Sequence, residues 1–240
     1  LYTVGVAGNP EWDAPVLRVS YTSFIQPAQL FDYRVATGEY TLLKEQEVPG
    51  GYDKDEYVAY RVWSEAPDGT KVPVSIVHRA DLDRTQPNPT LLYGYGSYEA
   101  NMDPYFSVFR LSLMDRGMIF AMAHVRGGGE MGRNWYDDGK MLAKKNTFTD
   151  FIAVADDLIA RRVTTPETLV AEGGSAGGLL MGAVANMAPD RFKAIEANVP
   201  FVDPLTSILM PELPLTVVEW EEWGDPYHDP EVYDYMASYA

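Results

Sequence analysis

The stretch that decides the fold is residues 168–187, which read TLVAEGGSAGGLLMGAVANM. Its first part, Thr168–Glu172, is rich enough in apolar and β-branched residues to predict a buried strand. The last part, Ala176–Met187, has a composition and length that predict a helix. The turn between them, Gly173–Gly177, matches Gly-x-Ser-x-Gly. The order of strand, glycine-rich turn and helix therefore predicts that Ser175 lies at a sharp bend.

A serine presented at such a bend needs small neighbours, because the strained turn leaves little room for side chains. Gly173, Ala176 and Gly177 meet this need. The N-terminus of the following helix directs free N–H groups at developing negative charge, so the N–H of Ala176 is the expected first oxyanion donor. The alternatives are a flexible turn or a phosphate-binding loop. A phosphate loop needs Gly-x-Gly-x-x-Gly and a later acidic partner, which this stretch lacks.

Strands and helices alternate around this segment, which predicts an α/β fold with a mostly parallel sheet covered by helices. Apolar runs predict strands buried on both faces at 90–95 and 118–123. A helical pattern at 148–159 follows, with Thr147 and Asp150 as its predicted capping box. A further strand is predicted at 193–199.

The first part of the chain has a different pattern, typical of antiparallel strands joined by turns. Pro and Gly punctuate Val48–Asp53, which is the best linker candidate. The predicted boundary therefore separates residues 1–48 from residues 49–240. The strands predicted in the first part are 16–22, 29–35 and 40–43.

Composition excludes several classes of protein. The 240 residues are 46% hydrophobic and 22% charged, as in an ordinary globular protein. The absence of cysteine excludes disulfides, thiolate zinc sites and a cysteine nucleophile, and no cofactor or metal is predicted. A net charge of −16 argues against nucleic acid as a partner. No apolar stretch approaches the ~20 residues that span a bilayer, and no basic signal segment is present, so a cytoplasmic location is expected.

A serine nucleophile needs a base, and hydrolases of this kind order their triad as Ser, then Asp or Glu, then His. His78 and His124 precede Ser175 and are interpreted as structural. His228 follows it in an acidic, proline-punctuated loop, with only one predicted strand between them. Two possibilities stay open: His228 is the base, or the base and its acid lie beyond Ala240. The second is favoured, because triad partners normally follow later strands.

Four motifs together resemble the prolyl oligopeptidase family, and in particular its branch that cleaves after basic residues. They are 93–98 (YGYGSY), 124–130 (HVRGGGE), 173–178 (GGSAGG) and the segment 214–224. The resemblance extends from about Phe24 to the end of the chain.

This resemblance implies a serine peptidase in which a β-propeller caps an α/β-hydrolase domain. Residues 1–48 then correspond to the last strands of the propeller. Residues 49–240 correspond to an incomplete α/β-hydrolase domain that lacks its C-terminal part. By the same resemblance, Ser175 is the nucleophile, and the Tyr95 hydroxyl joins the Ala176 N–H in the oxyanion hole. The triad Asp and His fall outside the sequence.

The resemblance also implies where a basic substrate side chain binds. Glu219 and Glu221 match glutamates that bind the Arg or Lys before the scissile bond. Residues two apart share a face in an extended segment and diverge in a helix. Two carboxylates on one face hold a guanidinium through charge-assisted hydrogen bonds. The alternative is a solvated acidic surface.

A second acidic position is only partly matched. Asp103 matches one of a pair that the family uses for another basic residue, but the partner position holds Tyr105. Tyr105 is able to stack on a guanidinium through a cation–π contact. We therefore expect a preference for Arg or Lys before the scissile bond and a weaker requirement for a basic residue at the neighbouring position. Arg126 and Glu130, which flank three glycines, are interpreted as parts of a structural loop.

Three hypotheses follow for function. The first is a serine oligopeptidase that cleaves short basic peptides through an acyl-enzyme on Ser175. The second keeps the fold but changes the substrate, as in a post-proline peptidase, an acylpeptide hydrolase or an esterase. The third is a non-catalytic fragment or binding module that retains the serine without its base.

Overall fold

The structure is a computed structural model that describes residues 1–240. The chain forms two compact units. The first comprises residues 1–60, 77–82 and 103–117, and the second comprises residues 61–76, 83–102 and 118–240.

The first unit contains a four-stranded antiparallel sheet whose strands follow one another in chain order. The strands are β1 (Tyr2–Val6), β2 (Val16–Ser23), β3 (Gln29–Arg34) and β4 (Glu39–Glu45). Three of these strands were predicted from the sequence and β1 was not. Gly38, at φ +73°, lies in the turn between β3 and β4, where the positive φ favours glycine. This unit also contains the helix α1 (Val108–Met114).

A six-stranded sheet forms the centre of the α/β part. Its strands are β5 (Tyr57–Glu65), β6 (Lys71–Arg79), β7 (Thr90–Gly94), β8 (Ile119–Ala123), β9 (Leu169–Gly174) and β10 (Ala194–Asn198). Their order across the sheet is β10-β9-β7-β8-β6-β5. β7 is parallel to both β8 and β9, and β9 is parallel to β10, which confirms the α/β prediction. The carboxyl ends of β7 and β9 therefore lie side by side, where α/β sheets place their ligands.

Helices cover this sheet, and three further helices follow its last strand in the sequence. They are α2 (Arg133–Asp137), α3 (Lys145–Ala160), α4 (Ala176–Met187), α5 (Pro204–Ile208), α6 (Thr216–Trp223) and α7 (Pro230–Ala237). α4 has the predicted bounds. It packs on β9, β10 and α3 through a face that includes Leu179, Leu180 and Val184, all of which are buried.

One prediction about α3 is wrong. The predicted capping box placed the start of the helix at Thr147, but α3 begins at Lys145 and has no side-chain cap. Thr147 and Asp150 are both fully buried inside α3. The Thr147 hydroxyl donates to the carbonyl oxygen of Arg126 at 2.7 Å, and the Asp150 carboxylate accepts from the Arg126 side chain. Tertiary contacts have therefore replaced the local cap that the pattern indicated.

The core lies between the central strands and the two long helices. All five residues of β8 are buried, as expected for a strand covered on both faces. The side chains of Phe148, Phe151 and Leu158 bury one face of α3. No helix in the chain combines the length and the apolar character needed to cross a bilayer.

Candidate active site

Ser175 occupies a strained turn between β9 and α4. Its backbone has φ 56° and ψ −117°, a conformation that costs a non-glycine residue of order 1–3 kcal/mol. Its N–H donates to the carbonyl oxygen of Asn198 at 2.9 Å, and its own carbonyl oxygen accepts from Phe201 N–H at 3.1 Å. The end of β10 and the residues after it therefore hold the turn, while the serine is exposed to solvent.

The glycines around Ser175 are required by close backbone contacts. A Cβ on Gly173 would lie 2.4 Å from the carbonyl oxygen of Gly177, and a Cβ on Gly177 would lie 2.7 Å from that of Gly94. A Cβ on Gly174 would meet nothing closer than 3.4 Å. The strand and helix approach each other so closely that only two positions of the motif must be glycine, as the Gly-x-Ser-x-Gly pattern indicates.

Two hydrogen-bond donors, the Tyr95 phenol and the Ala176 N–H, belong to the residues next to Ser175. Tyr95 follows β7 directly, and its ring packs against the serine turn, since a Cβ on Gly177 would lie 3.3 Å from Tyr95 Cδ2. Burial raises the pKa of Tyr95, and although the nearby Ser175 hydroxyl opposes this, the phenol stays a donor at neutral pH. Ala176 is the first residue of α4, so its N–H has no partner within the helix. The structure thus brings together the three residues predicted for nucleophile and oxyanion hole.

The shared face that an extended segment would give Glu219 and Glu221 is not found, and their role in substrate binding stays a prediction. Glu219 and Glu221 lie in the helix α6, so their side chains diverge. Glu219 is half-buried, whereas Glu221 is exposed and directed away from it. Glu222, which the sequence reasoning missed, is 3% exposed and shares a face with Glu219. A helical interpretation of this segment would have placed Glu222 beside Glu219 through its three-residue spacing.

The Glu219 carboxylate is held by two neutral donors. The Tyr98 hydroxyl and the Trp223 indole N–H both donate to Oε2 of Glu219, each at 2.8 Å. Because both use the same oxygen, Oε1 remains available to a ligand. The ring of Tyr98 lies edge-on to Trp223 at 5.9 Å and 6.5 Å from Tyr95. A continuous set of contacts therefore links Ser175 to Glu219.

A buried lysine and the buried Glu222 lie behind this cluster. The Lys144 ammonium group donates to the carbonyl oxygen of Gly96 at 2.6 Å, to Ser97 Oγ at 2.8 Å and to the carbonyl oxygen of Gly139 at 3.2 Å. Burial lowers the pKa of Lys144 from 10.5 to about 7, although the charge of Glu222 opposes the shift.

Glu222 accepts at both of its carboxylate oxygens. Its Oε1 accepts from the backbone N–H of Tyr98 at 2.9 Å, and its Oε2 accepts from the Tyr136 hydroxyl at 2.6 Å. Burial, with help from this bond and from the carboxylate charge, raises the pKa of Tyr136. Both carboxylate oxygens of Glu222 are thus engaged by the protein, and the side chain is buried.

Asp103 and Tyr105 belong to the first unit. Asp103 is exposed, and its role in substrate binding stays a prediction. One face of the Tyr105 ring already contacts the guanidinium of Arg110 at 4.7 Å, and the Tyr105 carbonyl oxygen accepts from the same group at 2.9 Å. The cation–π contact proposed for a substrate at this tyrosine is therefore made, on that face, by the chain's own arginine.

The histidines make contacts away from Ser175. His228 pairs with Asp225 at 2.7 Å on an exposed loop. His124 is 1% exposed and contacts Ser75 Oγ at 2.8 Å and Glu130 at 3.3 Å. These three groups contain the residue types of a triad, but Ser75 and His124 are buried and no substrate can reach them. His78 is buried in β6 and lies 2.7 Å from the carbonyl oxygen of Arg79.

The loop after β8 is held by charged contacts. Arg126 makes a two-point contact with the Asp150 carboxylate, at 2.9 and 2.6 Å, and a third contact with Asp68 at 2.7 Å. Glu130 accepts from the backbone N–H of Met102 at 3.0 Å. These contacts agree with the structural interpretation of Arg126 and Glu130. No group of three or more His, Asp or Glu side chains is arranged to hold a metal ion.

A parallel sheet whose strand, after a sharp turn at an exposed serine, continues into a helix is the architecture of the α/β hydrolases. Within that class the sequence can be assigned further. The model of the prolyl oligopeptidase family matches residues 104–240, more than half of the chain, and the chain therefore belongs to this family.

Relatives and solved structures agree with this assignment. The chain is 52% identical over 240 residues to dipeptidyl aminopeptidase BI of Pseudoxanthomonas mexicana, covering 100% of this chain and 33% of that protein. It is 50% identical to oligopeptidase B from Leishmania major, with a TM-score of 0.95 over 100% of this chain and 33% of that one. Oligopeptidase B from Trypanosoma brucei, with covalently bound antipain, is also 50% identical. Its TM-score is 0.96, and the match covers 100% of this chain and 34% of that one. The chain thus spans about a third of the length of these relatives.

Proposed function

We propose that this chain is the nucleophile-bearing part of a serine oligopeptidase that cleaves short peptides after Arg or Lys. The observation that carries the proposal is Ser175, which is exposed at a strained strand–helix turn against which the Tyr95 ring packs. Membership of the prolyl oligopeptidase family supports it. So does the covalent antipain adduct of the Trypanosoma brucei relative.

The proposed reaction begins when Ser175 Oγ attacks the scissile carbonyl carbon. A C–O bond forms, the hydroxyl proton passes to a general base, and the carbonyl oxygen becomes an oxyanion. Tyr95 OH and the Ala176 N–H stabilise it, and such a donor is typically worth ~3 kcal/mol. The C–N bond then breaks as the leaving amine takes up the proton. Water hydrolyses the resulting ester and regenerates the serine.

We propose that the base and its orienting acid lie outside residues 1–240. The contacts of His124 and His228 with Glu130 and Asp225 support this, because neither pair includes Ser175. On this proposal the isolated chain has negligible turnover. Robust hydrolysis by the isolated chain, abolished by His228→Ala, would instead make His228 the base.

The preference for a basic residue rests on Glu219. Its Oε1 accepts no bond from the protein, so it is able to take a charge-assisted hydrogen bond from a guanidinium or ammonium group. Glu222 supplies a second negative charge behind it. A proline side chain would gain nothing from this arrangement, which is why we favour basic over post-proline specificity.

The first experiment tests the nucleophile in the full-length protein. Ser175→Ala should abolish cleavage of arginine amide peptides and covalent labelling by a fluorophosphonate, without loss of folded protein. Wild-type rates in this variant would overturn the proposed function.

The second experiment tests specificity with a matched pair of glutamates. A hydrogen bond to a charged group is worth about 1.5–3 kcal/mol, so Glu219→Gln should lower kcat/KM for an arginine substrate by about 10- to 150-fold. Glu221→Gln, two residues away and exposed, should change it little. Faster cleavage after proline than after arginine by the wild type would favour the post-proline alternative.

A further inference from the structure

The loop that follows β7, residues 95–99, is called the tyrosine loop below. Its backbone conformation is unfavourable. Gly96, Tyr98 and Glu99 all have positive φ, at 74°, 61° and 55°. The left-handed region is disfavoured for tyrosine and glutamate, because their Cβ atoms crowd the backbone. Contacts from outside the loop must therefore stabilise it. The loop matters for the site because Tyr95 directly precedes it and Tyr98 holds Glu219.

Lys144 makes the contacts nearest to Tyr95. Two of its three hydrogen bonds go to Gly96 and Ser97, the two residues that follow Tyr95. Ser97 is fully buried, so no water competes for these bonds. Glu222 makes the next contact along the loop, at the Tyr98 N–H. The loop is thus held at consecutive residues by the buried side chains of Lys144 and Glu222.

A general stabilising role does not account for a lysine at this position. Lys144 is 1% exposed, and all three of its hydrogen bonds go to uncharged oxygen atoms. A buried charge without a directly paired counter-ion costs stability, and an apolar residue of the same size would avoid that cost. What the ammonium group supplies is three directed donors, two of them to the tyrosine loop.

We propose that Lys144 is a positioning residue for the oxyanion hole, acting through the carbonyl of Gly96 and the hydroxyl of Ser97 to fix the Tyr95 phenol beside Ser175. This inference rests on the proposed function, because it assigns Lys144 to the same reaction. Lys144 touches no reacting atom. Its removal should lower kcat by misplacing the phenol and should leave substrate binding at Glu219 nearly unchanged.

The test is a double-mutant cycle in the full-length protein with an arginine amide peptide. Removing one oxyanion donor costs about 10²–10³ in kcat, so Tyr95→Phe sets the upper limit for any effect that acts through the phenol. Lys144→Met should lower kcat by at least about 10-fold and by no more than Tyr95→Phe. KM should change less than about 3-fold.

The decisive measurement is Lys144→Met in the Tyr95→Phe background. If the lysine acts through the phenol, the second substitution should lower kcat by less than about 3-fold, because the group that it positions is already absent. Equal fold losses in both backgrounds would overturn the proposal, since a merely structural role is additive. Wild-type kcat in Lys144→Met would overturn it as well.

A control and a second variant keep the result clear. Tyr235→Phe removes a hydroxyl that accepts from the Lys145 N–H at 2.8 Å, so it perturbs the adjacent residue without touching the tyrosine loop. It should leave kcat unchanged.

If Lys144→Met does not fold, Lys144→Gln repeats the cycle, because its amide keeps two N–H donors and should give a smaller loss. Activity in Ser175→Ala would refute the proposed function itself, whereas additivity together with an inactive Ser175→Ala refutes only the role of Lys144.

Discussion

Two adjacent glycines of the serine turn are expected to respond in opposite ways to the same substitution. Gly173→Ala places a Cβ 2.4 Å from the carbonyl oxygen of Gly177 and 3.0 Å from that of Gly94. Gly174→Ala places it 3.4 Å from the carbonyl oxygen of Asn198, an ordinary contact. The two variants differ by one position and have the same composition, so each is the control for the other.

The magnitudes follow from what each methyl group meets. Both obstacles at Gly173 are backbone atoms, at the start of α4 and the end of β7, so neither can rotate away. Overpacking of this kind costs typically 1–3 kcal/mol, and we expect a value near 3 kcal/mol. Gly174 has no positive φ, so alanine there restricts the unfolded chain and should stabilise the fold by about 0.4–1 kcal/mol. The expected difference is about 3–4 kcal/mol.

The assay is urea unfolding followed by tryptophan fluorescence, for which Trp135 and Trp223 of the second unit are buried probes. Gly173→Ala should unfold at a clearly lower urea concentration than wild type, and Gly174→Ala at the same or a higher one, with similar m-values. If both variants unfold together, the strand and the helix do not approach as described. Close approach of strand and helix would then not be the reason for the glycines of the Gly-x-Ser-x-Gly pattern.

Three further predictions concern stability. Ser175→Gly should be more stable than Ser175→Ala by about 1–3 kcal/mol in urea unfolding, because only glycine relieves the positive φ; equal stability would show that the turn stores no strain. Asp150→Asn should cost about 3–5 kcal/mol by removing the buried partner of Arg126, whereas Asp68→Asn, at the half-exposed partner of the same group, should cost no more than about 1 kcal/mol; the same assay distinguishes them. Because the pKa of Lys144 falls from 10.5 to about 7 on folding, the unfolded state binds more protons between these values, so the free energy of unfolding should rise with pH across that window. Lys144→Met should remove this rise, and a wild-type pH profile in the variant would contradict the pKa shift.

The local elements of the fold were largely predictable. The apolar runs of β7 and β8 and the helical pattern of α3 and α4 depend on residues close in sequence, so periodicity alone indicates them. The capping box at Thr147 shows the limit of such patterns. Its residues match a helix start, but the buried Arg126 uses both of them, and no pattern within one helix could show that contact.

The acidic residues of α6 show the same limit more sharply. The sequence contains Glu219, Glu221 and Glu222 within four positions, and which two of them share a face depends on whether the segment is extended or helical. The helix α6 places Glu219 beside Glu222 and directs Glu221 to solvent. Family resemblance supplied Glu219 but could not supply Tyr98, Trp223 and Lys144, which hold the site from behind.

The amino-acid sequence by itself determined the α/β pattern and the position of the serine between strand and helix. It also determined that the turn around the serine needs glycine. Each of these depends on sterics and periodicity over a few neighbouring residues. Only the tertiary structure decided which polar groups surround that serine. Lys144 reaches Ser97 across 47 positions of the chain, and Glu222 reaches Tyr98 across 124, because the burial of a charge depends on contacts that exist only after the chain has folded.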